Sequence, residues 1–157
     1  MERRQPFAWH LYLESKMIFS STSTDFIRDL GAPNTYKLAK VDCIKFRDLF
    51  VESYKALIES TNSKVFNLSC MFLAARNFAT CYSLSNQQPV FSRKSPFLIK
   101  EKLVLDENVF NILTRARLLS TRGYGDLVSH DEVHKVLKEA TKIKEWMEYL
   151  IKVKYYE

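Results

Sequence analysis

Glycine and proline are scarce in this chain, three and four respectively among 157 residues. A β-sandwich or barrel needs a turn every ~8–12 residues, so this shortage favours an all-helical fold from the outset. Cysteine is rare too. Cys43, Cys70 and Cys81 are odd in number, show no Cys-x-x-Cys spacing and lie inside apolar helical patterns. They read as reduced, buried residues of a cytoplasmic protein, not as a disulfide framework. No apolar run reaches the ~18 residues of a membrane-spanning helix, so no membrane association is expected. Nor is a secretory leader, because Arg3 and Arg4 precede a mixed stretch containing His10, Glu14 and Lys16. His10, His130 and His134 are isolated, with no third ligand at metal spacing. No EF-hand, P-loop, GxGxxG or GxSxG motif occurs. The paired aspartates that hold two metal ions in nucleotidyl transfer are missing as well. Neither a metal nor a cofactor is expected.

What the chain does have is ordinary globular composition, 46% apolar and 27% charged. That is enough apolar side chain for one core, so residues 1–157 are expected to form a single domain. Pro6 suits a first helical turn, and Phe7 to Ile18 support a helix to about Phe19. The tract Ser20-Ser21-Thr22-Ser23-Thr24 breaks it. Thr24 then caps a short piece over 25–30, ended by Gly31 and Pro33. Asp42 can cap a helix running to about Glu59, with Cys43, Phe46, Phe50, Leu57 and Ile58 on one face. Residues 60–63 form a short connection, so the next helix, 64–84, should run antiparallel. That helix is apolar on nearly every side, with only Lys64 and Arg76 charged, so it should be central.

Residues 85–105 show no period and read as a long loop, of the kind that often carries function. Asp106 caps a helix to about Thr121, with Leu105 and Phe110 as a hydrophobic staple, and Gly123 ends it. Ser129-His130-Asp131-Glu132 is a capping box. It opens a last helix whose stripe is Val133, Val136, Leu137, Ala140, Ile143, Met147, Leu150 and Ile151. The expected architecture is an all-α, up-and-down bundle of four to five helices.

Charge is uneven. Lys plus Arg is 24 against 18 Asp plus Glu, for a net charge of +6. Residues 91–122 hold seven bases (Arg93, Lys94, Lys100, Lys102, Arg115, Arg117 and Arg122) against three acids, whereas residues 123–157 hold six against seven. A local basic surplus attracts phosphate-bearing ligands or acidic partners. Arg76, followed by Asn77, stands in the most apolar helix. A guanidinium there needs a carboxylate such as Asp48 or Glu52, a set of carbonyls, or a cavity open to an anion. Arg115 and Arg122 are seven residues apart and share a helix face, whereas Arg117 points elsewhere. Arg93 and Lys94, flanked by Phe91 and Phe97, could clamp a nucleotide by charge and stacking. The plainer accounts are a buried tie between two helices for Arg76, helix-dipole charge for Arg115 and Arg122, and solvated loop charge for Arg93 and Lys94.

The tract Phe72-Leu73-Ala74-Ala75-Arg76-Asn77-Phe78-Ala79-Thr80-Cys81-Tyr82 resembles the Arg-Asn…His-Tyr element of HEPN domains. Residues 112–123 resemble helical regions found beside minimal nucleotidyltransferases. The likeness implies an all-helical bundle of this size. It also implies a place beside a nucleotidyltransferase domain or protein, and homodimerisation through helix faces. On this resemblance the chain would be the helical half of a longer nucleotidyltransferase, or a separately encoded companion to one. Some members bind nucleotides or substrate; others are metal-independent ribonucleases of toxin–antitoxin and phage-defence systems. Catalytic members carry a histidine a few residues after the arginine, where this chain has Cys81. A thiol of pKa ~8.5 is a poor general acid or base at neutral pH.

The reading that follows is a HEPN-like domain that is not itself an enzyme. It binds a nucleotide or RNA phosphate through Arg76, Asn77, Arg93, Lys94, Arg115 and Arg122. One alternative is a metal-independent ribonuclease toxin with Arg76 as its catalytic residue. Another is a non-catalytic interaction scaffold whose arginines are structural.

Overall fold

The computed structural model describes residues 5–59 and 63–157. It is all-helical, with seven helices and no strand among the described residues: α1 (Gln5–Glu14), α2 (Phe26–Asp29), α3 (Ala39–Glu59), α4 (Lys64–Ser85), α5 (Ser95–Leu98), α6 (Glu107–Arg122) and α7 (His130–Tyr155). The contacts divide the chain into two compact units, residues 1–38 and 39–157.

The first unit holds α1 and α2, and neither has a buried residue. The α1 helix stops at Glu14, five residues short of the expected end. Met17, Ile18 and Phe19 beyond it are exposed, so no burial offsets the cost of further helical turns. The Trp9 indole donates to the Asn34 carbonyl (3.1 Å), and the Lys37 amide donates to the Gln5 side chain (3.3 Å). Asp25, not Thr24, caps α2, accepting from the Arg28 amide at 3.2 Å.

In the second unit, α4 packs against α3 and α6, and α7 packs against α3 and α6 in turn, closing a four-helix ring. Contacts fix the directions. Cys43 lies beside Cys81, and Ser53 beside Cys70, so α3 and α4 are antiparallel. Phe72 meets Phe110 (5.5 Å between centroids) and Ser69 meets Arg117, so α4 and α6 are antiparallel. Cys43 is also near Tyr155 while Tyr54 donates to the Leu137 carbonyl (3.5 Å), so α3 and α7 are antiparallel. The expected connection at 60–63 lies mostly outside the described residues.

Fourteen of the 22 residues of α4 are buried, which makes it the central helix. Its neighbours show one apolar face each, as bundle helices do. The stripe of α7 is buried at every expected position except Leu137, which is half-buried. The capping box forms as read: Ser129 Oγ accepts from the Glu132 amide (3.3 Å), and Glu132 Oε2 accepts from the Ser129 amide (2.9 Å). Asp106 caps α6 through the Asn108 amide (2.9 Å), and Gly123 ends it in the left-handed region. α3 starts three residues before Asp42, which therefore sits in the first turn and complements the helix dipole there.

Residues 86–105 are not a free loop. Thr80 Oγ1 donates to the Val90 carbonyl (3.1 Å), and the Val90 amide donates to Ser83 Oγ (3.0 Å). Ser95 Oγ donates to the Arg76 carbonyl (3.0 Å), and the Trp146 indole donates to the Glu101 carbonyl (2.8 Å). Phe91, Ile99 and Leu103 of this segment are buried, and Pro96 sits in the first turn of α5, which suits proline.

Candidate functional site

α4 and α6 leave a groove of about 430 Å³ between them, bounded on one side by the loop that carries Arg93. α4 contributes Phe72, Leu73 and Arg76; α6 contributes Thr114, Arg117, Leu118, Thr121 and Arg122. Residues 114, 117, 118 and 121 follow the three- and four-residue steps of a single helix face, which is why they open onto one hollow. Phe72 is buried at its base and packs on Phe110.

Four arginines therefore meet in one groove. Arg76 is half-buried and tethered: Nη2 donates to the Phe91 carbonyl at 2.7 Å and Nη1 to Asn77 Oδ1 at 3.0 Å. Arg76 thus donates to a loop carbonyl and to an amide oxygen, while Asp48 of α3 is held by Arg47 (2.6 Å). Arg117 reaches Ser69 Oγ only at 3.4 Å, and Arg122 reaches the Tyr124 hydroxyl only at 3.5 Å, both at the limit of hydrogen-bond geometry. Among the described residues no carboxylate lines the groove, and Arg93, Arg117 and Arg122 make no ion pair. Three guanidinium groups thus share a half-apolar hollow without a neutralising acid.

The other residues read as candidates lie elsewhere. Arg115 does share a side of α6 with Arg122, but its guanidinium turns to Glu132 of the capping box, at 2.5 Å. That pair and the Ser129 amide hold the Glu132 carboxyl below the usual glutamate range. Arg115 is thereby neutralised and does not line the groove, and Arg117, read as pointing elsewhere, takes its place. Lys94 pairs with Glu107 (3.0 Å) across the base of α6. Asn77 braces Arg76 and is not among the lining residues. Thr114 had no signal in the sequence beyond its place on the 114, 117, 118, 121 face, and that spacing also marks Arg117.

Cys81 is 2% exposed and lies in the core beside Cys43. Burial pushes the Cys43 thiol far above the ordinary range. Cys70, partly exposed, also has its thiol raised by burial, against the opposing influence of the Ser53 hydroxyl and Arg117. Cys43, Cys70 and Cys81 form no disulfide among the described residues. Among the described residues no three His, Cys, Asp or Glu side chains gather as a metal site. His130 instead approaches Lys64 Nζ (3.3 Å), and His10 pairs with Glu14 (3.1 Å). No described helix is long and apolar enough to cross a membrane.

No protein-family model, curated protein or solved structure matches this chain.

Proposed function

We propose that this chain is a HEPN-like helical domain that binds the phosphate of a nucleotide or RNA in the α4–α6 groove. It works beside a nucleotidyltransferase, as a substrate-binding or regulatory half, and is not itself catalytic. The observation that carries the reading is the meeting of Arg76, Arg93, Arg117 and Arg122 in a groove that no carboxylate lines among the described residues. Guanidinium groups in a partly apolar hollow favour phosphate, because their planar forks offer paired donors to its oxygens. Phe72, Leu73 and Leu118 offer apolar surface to a base or ribose.

The burial of Cys81 supports the non-catalytic half of the proposal. A ribonuclease of this kind needs an acid or base beside Arg76, and the residue at the matching position is a core thiol. RNA incubated with the protein without metal should stay intact. Cleavage that vanishes in Arg76→Ala would instead make this a ribonuclease with Arg76 as a catalytic residue, and would bring the toxin–antitoxin setting with it. A panel of nucleotides and RNA should raise the melting temperature. Ligand at a hundred times its Kd adds ~2.7 kcal/mol, or about 5–10 °C for a chain of this size. If nothing in the panel binds, and Arg93→Glu with Arg122→Glu changes only stability, the chain is a scaffold. The homodimer and the nucleotidyltransferase partner belong to the same proposal. Sedimentation of the purified protein tests the first and co-purification from its native host the second.

A further inference from the structure

We infer that the groove takes a terminal polyphosphate, a chain of two or three linked phosphates on one nucleotide, and not the phosphodiester backbone of an RNA strand. The inference rests on the phosphate-binding proposal and narrows it. Its basis is charge per unit of space. Arg93, Arg117 and Arg122 have no carboxylate partner among the described residues, and Arg76 stands beside them, so the site presents three to four positive charges. The volume, about 430 Å³, is that of a site for one small ligand, near the lower end of the ~300–1,000 Å³ range. A polynucleotide brings one negative charge per nucleotide. One nucleotide seated here by its diester would leave two or three guanidinium groups unmatched.

A terminal phosphate carries about −1.5 to −2 near neutral pH. Each inner phosphate adds roughly one more charge, so a nucleoside di- or triphosphate matches the arginines in the room available for one nucleotide. The placement of the groups agrees. Arg76 is tethered to the Phe91 carbonyl and Arg117 lies against Ser69, so both belong to the α4–α6 wall. Arg93 and Arg122 are exposed and can swing to follow a second or third phosphate. The same chemistry is offered by a free nucleoside triphosphate and by an RNA carrying a 5′-triphosphate.

Isothermal titration of the full chain with five probes tests this: ATP, AMP, inorganic triphosphate, and an octanucleotide RNA with either a 5′-hydroxyl or a 5′-triphosphate. ATP or the triphosphorylated RNA should bind at least about tenfold more tightly than AMP and the 5′-hydroxyl RNA, and inorganic triphosphate should compete. The tighter of ATP and the triphosphorylated RNA names the source of the polyphosphate. Arg93→Ala and Arg122→Ala, both at exposed positions, should each weaken that binding about tenfold or more. Equal affinity for the 5′-hydroxyl and 5′-triphosphate RNAs overturns the polyphosphate inference and leaves phosphate binding standing. Failure of all five probes overturns both. Tight ATP binding that neither variant weakens places the ligand outside this groove and also overturns the inference.

Discussion

Replacing Arg76 should do two separable things, because its guanidinium faces both the groove and the loop. The Arg76→Ala change removes a 2.7 Å bond to the Phe91 carbonyl and a 3.0 Å bond to Asn77 Oδ1. A hydrogen bond from a charged donor contributes about 1.5–3 kcal/mol, and the half-buried second bond adds less, so the loss is ~2–4 kcal/mol. For a chain of this size each kcal/mol moves the melting temperature by ~2–4 °C, which gives a fall on the order of 10 °C. Amides of residues 90–95 should exchange faster with solvent, because Arg76 is one of the few ties holding that loop to α4. Arg76→Lys keeps the charge but not the planar fork, so it should recover part of the phosphate affinity and little of the stability. Arg93→Ala is the control. Arg93 is exposed and outside any described ion pair, so its loss should stay within ~0.5 kcal/mol in stability while weakening phosphate binding. Calorimetry and hydrogen exchange on the three variants decide the matter. An Arg76→Ala protein that melts with the parent, with residues 90–95 equally protected, would refute the tethering role.

Four further outcomes follow from local chemistry. Ser129→Ala removes the side-chain half of the capping box and should cost about 1 kcal/mol by urea denaturation. Glu132 has its carboxyl lowered by Arg115 and the Ser129 amide, so its contribution is complete above the ordinary glutamate pKa of ~4.3 and fades as pH falls through the lowered folded value. Glu132→Gln should therefore flatten the acid side of a stability–pH profile, and an unchanged profile would contradict the pairing. Gly123 stands at φ +66° with open space where a Cβ would go, so Gly123→Ala should cost about 1 kcal/mol through backbone strain alone, and Gly123→Asn less. Ellman's reagent should label one thiol slowly in the native protein, Cys70, and all three after unfolding, because Cys43 and Cys81 are shielded.

The long helices were legible because their signals are local. A four-residue capping box, an aspartate before an apolar run, a glycine after one and a helix without a polar face each mark an element without knowledge of its neighbours. The first unit was harder to read, since α1 has no apolar face to set its end and stops two residues after its last half-buried side chain, Tyr12. The loop over 86–105 looked loose because its order comes from side chains of α4, through Thr80, Ser83 and Arg76, and from Trp146 of α7. Seven-residue spacing places Arg115 and Arg122 on one side of α6 by helix geometry alone. It carried no information about Glu132, a residue of the next helix, which captures Arg115 and withdraws it from the groove.

The same kind of capture explains why a modest surplus of six charges becomes a concentrated one. Three acids around α6 are engaged away from the groove: Glu107 by Lys94, Asp106 by Lys135 (3.1 Å) and Glu132 by Arg115. Asp106 and Glu132 also cap helix starts, which fixes their carboxylates where backbone amides need them. Each acid committed to a cap or a rim lysine is one fewer to offset Arg93, Arg117 and Arg122. The residue count for 91–122, seven bases against three acids, understates the result. Two of those three acids, Asp106 and Glu107, sit at the α6 N-terminus, whereas Arg117 and Arg122 lie in its C-terminal half. The helix that supplies most of the groove thus separates its own charges along its length. A phosphate entering the groove would meet guanidinium groups, with no carboxylate among the described lining residues to repel it.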